Sequence, residues 1–399
     1  MTSNRWLLPE GVQEVLPPES WRLEAARHRL LELYWRWGFD LIRPPLIEYL
    51  DSLLTGAGHN LDLQTFKLTD QLSGRMMGVR SDMTTQAARI DAHRLPAEGP
   101  ARYCYIGSVL RTRPEEPGGS RSPLQIGVEL FGHTGPDADL EVISLMLESL
   151  QAMGIEDAYL DLGHVAVYRA LVARADIGGD TEAELFDVMQ RKSRPDLRAM
   201  IDQGRLPAGA GGWFETLIDL NGDAAVLDDA AALAGVDPGI ERALAELRDM
   251  SRRLARHYPD VPLYIDLAEL RGYRYKTGMV FAAFAPGHGR ELARGGRYDN
   301  VGAAFGRARA ATGFSADLNL LATIGEPPAR PPFRAVFAPA EDDPDLLAAI
   351  RRLRAEGRRV VTGLPGDGLD AAGAGCDEEL VHETGEWRCR PVADRKDSE

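Results

Sequence analysis

The stretch from Tyr103 to Phe131, YCYIGSVLRTRPEEPGGSRSPLQIGVELF, constrains this chain more than any other. Two apolar, strand-like arms flank a loop, Pro114 to Pro123, that is too long for a tight hairpin turn and rich in proline, glycine and charge. A period of two puts Tyr103, Tyr105, Gly107, Val109 and Arg111 on one face of the first arm. On the second arm Leu124, Ile126, Val128 and Leu130 share one face, and Gln125, Gly127 and Glu129 the other. Arg111 on one arm and the Gln125/Glu129 pair on the other each share a face with a glycine that leaves room above a sheet. That describes the floor of a pocket for something small, polar and cationic, because Glu129 is an anion near an amide. The other reading of the same pattern is a sheet with one solvated face.

The rest of the chain sets the frame. A length of 399 residues suggests two or three domains. The net charge of −15 argues against wrapping nucleic acid, which needs a basic surface. Cys104, Cys376 and Cys389 form no CxxC and are odd in number, so neither a disulfide framework nor a zinc site is expected, and a reducing cytoplasm fits. The N-terminus has no apolar core of signal-peptide length, and no apolar run approaches the ~18 residues of a membrane span.

Apolar spacing predicts an amphipathic helix over Ser20–Trp37 and a strand over Phe39–Leu46, FDLIRPPL, whose two prolines confine it to an edge or an interface. Short strands are predicted at Phe66–Leu68 and Met76–Val79. Asp82 is placed to cap the helix that follows it, or to point into a site. A helix is predicted at Asp139–Met153 and a strand at Tyr159–Leu162, then an alanine-rich helical insertion at about 168–258. Strand character returns over 263–284, and Gly313–Leu321 reads as a strand turning into a helix. Residues 326–332 read as a linker, 333–392 as a small α/β unit with Pro344 opening a helix, and 393–399 as a disordered tail.

The chain carries no phosphate-binding loop of the GxxxxGK[ST] type and no HExxH, and its eight histidines show no metal spacing. Metal or nucleophilic catalysis is therefore unsupported, and no cofactor is expected. Seven scattered pieces in a fixed order do stand out: PEGVQEVLPPE, FDLIRPPLIE, RSDMTTQAAR, the 103–131 stretch, LRGYRYKTGMVF, GGRYD and GFSADLNLL. Together they resemble the class II histidyl-tRNA synthetase catalytic domain over roughly residues 5–325. The resemblance implies an α+β fold: a class II aminoacyl-tRNA synthetase-like antiparallel sheet flanked by helices, holding its ligands on one face, here with the helical insertion and the C-terminal α/β unit added. It implies that Asp82 and Thr84 match the acid and threonine of the family's RPEGT segment, and that Gln125 and Glu129 match the residues that hold histidine. Arg271, Tyr275 and Thr277 match its RGLDYYT motif, in which Arg274 and Lys276 replace an aspartate and a tyrosine. Gly295–Asp299 matches GGRYD and brings Tyr298 toward the amino acid. FDLIRPPL resembles the strand at the family's dimer interface, which implies a homodimer built through Ile42 and the proline pair.

The departures matter most. The family's second motif begins Arg-x-Glu; Arg111 matches, but Arg113 stands where the adenine-fixing glutamate belongs. Its third motif ends Gly-x-Glu-Arg, and the corresponding positions here are Asp317, Asn319 and Leu320. A leucine bonds no phosphate, and losing one group that stabilises transition-state charge costs ~10²–10³ in rate. A histidine pocket without its ATP clamp resembles a paralogous family, the regulatory subunits of short-form ATP phosphoribosyltransferase. That resemblance implies no chemistry of its own. It also implies a short catalytic subunit as partner, free histidine as feedback effector, and histidine-binding residues Asp82, Thr84, Arg111, Gln125, Glu129, Arg271, Tyr275 and Tyr298. Alternatives are a working or degenerate histidyl-tRNA synthetase and a synthetase-like module for another small ligand.

Overall fold

The computed structural model describes residues 6–56, 59–95, 98–115, 119–273, 275–325, 335–366 and 368–392. The expected linker at 326–332, the expected tail at 393–399 and Arg274 lie outside the described residues. The chain divides into two units, Met1–Pro328 and Ala329–Glu399.

The strands of the first unit are β1 (Asp40–Leu41), β2 (Ile47–Tyr49), β3 (Phe66–Thr69), β4 (Met76–Val79), β5 (Ala101–Ser108), β6 (Leu124–Phe131), β7 (Tyr159–His164), β8 (Asn221–Gly222), β9 (Leu263–Asp266), β10 (Met279–Phe284), β11 (Ala293–Arg297) and β12 (Ala311–Asp317). Nine of them make one sheet in the order β1-β5-β6-β12-β11-β10-β7-β9-β8. It is antiparallel from β5 through β7, with parallel pairs at β1/β5 and β7/β9. The remaining three pair as β2-β4-β3.

Side-chain alternation gives the large sheet two unlike faces. Ile126, Val128, Leu130, Phe314, Phe281, Leu160 and Leu162 look into the main core, together with buried residues of the helices Glu19–Arg36, Pro136–Ala152 and Pro238–His257. The opposite face carries the polar residues. The register fixes which of them are neighbours. Tyr103, Glu129, Gly313, Gly296, Val280 and Gly163 lie in one cross-strand row. Tyr105, Gly127, Ser315, Arg294, Ala282 and Asp161 lie in the next.

Helices at Glu19–Arg36 and Pro136–Ala152 fall where the apolar spacing puts them. The insertion is built from helices between Val165 and His257, joined by turns and carrying the two-residue β8. Its last helix starts with Pro238 in the first turn, capped by Asp237 Oδ1 accepting from Gly239 N at 2.6 Å. Three expectations need correction. The strand expected over Phe39–Leu46 forms only at Asp40–Leu41, an edge strand; of the residues expected at a two-fold contact, Ile42 and Pro44 are buried within the chain and Pro45 is exposed. The large hydrophobic residues exposed there are Leu41, Leu46, Ile47 and Tyr49. The strand character of 263–284 is two strands, β9 and β10, separated by the Arg271–Thr277 loop.

In the second unit β13 (Val336–Ala338), β14 (Val360–Thr362), β15 (Glu378–Glu383) and β16 (Glu386–Pro391) pair in the order β14-β13-β15-β16, with the helix Pro344–Ala355 opened by Asp343 and Pro344. The β15–β16 hairpin was not expected. Among the described residues no helix is long and apolar enough to cross a membrane.

Arg297, at the end of β11 on the core face, locks the sheet to the Pro136–Ala152 helix. Its Nε and Nη2 donate to Asp139 Oδ2 at 3.0 and 2.8 Å, Nη1 to His133 O at 3.0 Å, and Nη2 to Gly135 O at 3.0 Å. Both partners of the ion pair are almost fully buried. Arg297→Met leaves Asp139 as an uncompensated buried charge, so a loss of about 3–5 kcal/mol is expected. Urea denaturation checks this; a midpoint equal to that of the parent would mean that the pair is not desolvated.

Candidate functional site

Glu129 is the centre of a hydrogen-bonded cluster on the polar face. It is 1% exposed. Its Oε1 accepts from Tyr105 Oη at 2.9 Å, and its Oε2 accepts from Tyr298 Oη. Tyr105 Oη also lies 3.4 Å from Thr84 Oγ1. Next to it, Gln125 Nε2 donates to Asp82 Oδ1 at 2.5 Å and Gln125 Oε1 accepts from Met83 N at 3.1 Å. Asp82 Oδ2 accepts from Thr84 N at 2.9 Å; the cap position of the helix Thr84–His93 is Met83, so Asp82 bonds the first helical N–H from one residue further out and is also part of the cluster. Five of the eight expected residues, Asp82, Thr84, Gln125, Glu129 and Tyr298, are therefore brought together, and Tyr105 joins them.

Two details of the expected floor change. The space above its glycines is filled from within the chain. A Cβ at Gly107 would meet Arg80 Nη2 at 2.4 Å, and one at Gly127 would meet the Tyr105 ring at 2.6 Å. Arg80 is held there by Ser108 O at 2.9 Å and Pro44 O at 2.6 Å. The second detail is the charge on Glu129. Burial pushes its carboxyl up to about 8, against the opposing pull of the Tyr298 and Tyr105 hydroxyls. Burial thus favours the neutral form of a group that the sequence presents as an anion.

Arg111 and Arg271 belong to a second constellation, a chain of alternating charges across the same face. Arg111 Nη1 lies 3.1 Å from Glu115 Oε2, and Glu115 Oε1 lies 2.7 Å from Arg294 Nη2. Arg294 Nη1 lies 2.6 Å from Glu291 Oε1, Glu291 Oε2 pairs with Arg271 Nη1, and Arg271 Nε lies 3.2 Å from Glu269 Oε2. Glu269 in turn shares an acidic corner with Asp161 and Asp266, balanced by Lys192 Nζ at 2.5 Å from Asp266. There burial, with Asp266 and Glu269 nearby, pushes the Asp161 carboxyl up to about 7. Sequence reasoning missed Glu115, Glu291, Glu269 and Arg294; the signals available were charges just before GGRYD and an acid two residues before the RGYRYKT segment.

The remaining residues fall between the two. Tyr275 is 42% exposed, and among the described residues its hydroxyl bonds to neither cluster. Lys276, in the place of the family's tyrosine, is buried and donates from Nζ to Gly295 O at 2.6 Å; burial pushes its amine down to about 8. Thr277 Oγ1 and Asp299 Oδ2 are 3.0 Å apart, which ties RGYRYKT to GGRYD. A cleft of about 110 Å³ opens on this face, lined by Arg111, Glu115, Gln125, Arg294, Asp317 and Leu320. Asp317 is engaged locally, accepting from Asn319 N at 3.0 Å and Leu124 N at 3.2 Å.

Comparison with known proteins gives this geometry relatives. The sequence profile of the histidyl-tRNA synthetase family matches residues 11–321, and that of the ATP phosphoribosyltransferase subunit HisZ C-terminal domain matches residues 333–390. The ATP phosphoribosyltransferase regulatory subunit of Thioalkalivibrio sulfidiphilus is 56% identical, over 96% of this chain and 97% of that one. The same-named protein of Ectopseudomonas mendocina is 52% identical, over 98% and 99%. Among solved structures, an ATP phosphoribosyltransferase regulatory subunit/histidyl-tRNA synthetase from Bacillus halodurans superposes with a TM-score of 0.81, covering 94% of this chain and 97% of that one at 27% identity.

The Glu129 arrangement makes stability depend on pH in a definite direction. Unfolded, its carboxyl ionises near 4.5; folded, at about 8. Across that window the unfolded chain has released the proton and the folded chain keeps it, so this group's contribution falls as pH rises. Glu129→Gln removes the group. The melting temperature of the variant minus that of the parent should therefore rise from pH 5 to pH 8; a constant difference would mean that burial does not hold the proton.

Proposed function

The chain belongs to the family of ATP phosphoribosyltransferase regulatory subunits, built on the histidyl-tRNA synthetase fold, and on that premise we propose that it has no chemistry of its own and acts by binding free histidine. The observation that carries this reading is the contrast between the two halves of the polar face. The half around Glu129 offers two carboxyls, an amide and two phenols converging on one place. Each carboxylate oxygen there accepts one hydrogen bond, and a carboxylate has about four acceptor sites, so lone pairs remain for an ammonium or imidazole. A cationic ligand also supplies the charge that draws the proton off Glu129. The half that would face a nucleotide is closed by its own ion pairs and bordered by Leu320.

A pocket that binds without reacting does work only by preferring one conformation of an assembly. In our reading the partner is the short catalytic subunit, which this protein activates, and histidine bound at Asp82, Thr84, Gln125, Glu129 and Tyr298 lowers that activation. Tyr275 lies between this site and the ion-pair chain, to which Arg271 and Arg111 belong. A homodimer within the hetero-oligomer, in the cytoplasm, completes the proposal; its contact would use the exposed Leu41, Leu46, Ile47 and Tyr49. Linkage makes the coupling reciprocal: if histidine disfavours the active assembly, the partner's substrates weaken histidine binding by the same factor, typically about 5–150-fold.

The test adds the pure protein to a short catalytic phosphoribosyltransferase, with and without histidine. The expected result is a rate of phosphoribosyl-ATP formation that rises with the protein and falls again with histidine. An unchanged rate, or histidine-dependent exchange between ATP and pyrophosphate by the protein alone, would overturn the proposal. Glu129→Gln should weaken histidine binding in calorimetry by about 10-fold or more, the effect of losing a charged hydrogen bond. Unchanged affinity would place the ligand elsewhere.

A further inference from the structure

Glu115 joins the loop after β5 to Arg294 on β11 within the ion-pair chain. Its two oxygens face two arginines from different elements, Arg111 at 3.1 Å and Arg294 at 2.7 Å. Both arginines are anchored independently of it. Arg111 Nε donates to Ser81 O at 3.3 Å, and Arg294 Nη1 to Glu291 Oε1 at 2.6 Å. Two guanidinium groups converging on one anion is an arrangement suited to a phosphate, whose oxygens accept several forked N–H donors. Here the anion is a side chain of the same protein. The cleft around it is electrically balanced: Arg111, Arg290 and Arg294 stand against Glu115, Glu291 and Asp317. Although burial pushes the Glu115 carboxyl up, Arg294 and Arg111 pull it below the usual carboxylate range, so it stays ionised at neutral pH.

We propose that Glu115 is a built-in anion that occupies a di-arginine polyphosphate site formed by Arg111 and Arg294, and so keeps the cleft shut to nucleotides and sugar pyrophosphates. A polyphosphate entering the parent protein meets a cleft with no net charge and must displace a carboxylate already paired twice. Removing that carboxylate leaves one uncompensated positive charge and two guanidinium groups facing a vacated position. The inference goes beyond the proposed histidine binding and stands or falls without it, because it concerns the other half of the face.

The experiment measures binding of inorganic tripolyphosphate, ATP and a sugar pyrophosphate by calorimetry to the parent protein and to Glu115→Gln and Glu115→Ala. Both variants should bind tripolyphosphate about 10-fold or more tighter than the parent, the effect expected for a freed charged donor. The gain should shrink with added salt and vanish when Arg294→Gln is added. A melting curve at the parent's temperature establishes that each variant is folded. A larger gain for ATP or for the sugar pyrophosphate than for tripolyphosphate identifies which phosphate carrier the cleft fits. Parent affinity equal to that of the variants overturns the proposal, as does a folded Glu115→Ala with no gain, or a gain confined to ATP with none for tripolyphosphate.

Discussion

A carboxyl group buried under two tyrosine hydroxyls sets the terms for the polar face of this protein. Glu129 reaches its position only because the residue paired with it across β12 is Gly313. A Cβ there would fall 1.8 Å from Glu129 Oε2 and 2.5 Å from Val128 O. The glycine thus provides the space into which the carboxyl lies flat on the sheet, where Tyr298 meets it from the segment after β11 and Tyr105 from β5. Leaving such a group unbonded in the interior would cost about 1–3 kcal/mol or more. Thr84 and Tyr105 extend the bonding to the Thr84–His93 helix, so that helix, the sheet and the GGRYD segment are all organised about one acid.

The neighbouring ion-pair chain uses a different balance. Its members are partly exposed: the side chains of Arg271 and Arg294 are 43% and 38% accessible. Ion pairs in such places stabilise little, typically 0–1 kcal/mol. What they do supply is geometry. Arg271 and Arg294 are each held between two carboxylates, and Arg111 between Glu115 and the Ser81 carbonyl, so each of the three guanidinium groups is already engaged. In a synthetase-like site such guanidinium groups would have to await a phosphate; here the waiting is over before a ligand arrives. The fold is shared, and a few charges decide what it can bind.

The sequence made the two arms, their faces and the pairing of Gln125 and Glu129 readable, because a period of two leaves each residue only two directions to point. It made the Asp82–Thr84 segment readable through the family pattern. Arg111 and Arg271 were harder. Their partners Glu115, Glu291 and Glu269 lie on loops, and what joins them is the register of β11 against β12 and β10, which no local pattern contains. The protonation of Glu129 was unreadable for a related reason: charge depends on burial, and burial depends on tyrosines far apart in the chain. The β15–β16 hairpin escaped because its strands bury little beyond Leu380 and Trp387, and because its turn uses Thr384 and Gly385, both at positive φ. An Asn-Gly or Asp-Gly pair is the familiar signal for such a turn; threonine is not.

The Arg271–Thr277 loop also connects this face to the helical insertion. Arg169 Nη2, from the helix Val165–Arg174, donates to Tyr273 O at 2.8 Å and Lys276 O at 2.9 Å. The Tyr273 ring packs at 5.1 Å from that of Tyr168 and 5.7 Å from that of Phe186, and its hydroxyl donates to Glu182 at 3.2 Å. Thr277 meanwhile holds Asp299, the residue after Tyr298. A loop bonded to the insertion at one end and to the GGRYD segment at the other has little freedom to move without moving both. Coupling between distant sites needs an element whose position both can bias. This loop has contacts at both ends: a continuous chain of bonds links Glu129 through Tyr298, Asp299, Thr277 and the backbone of Lys276 to Arg169.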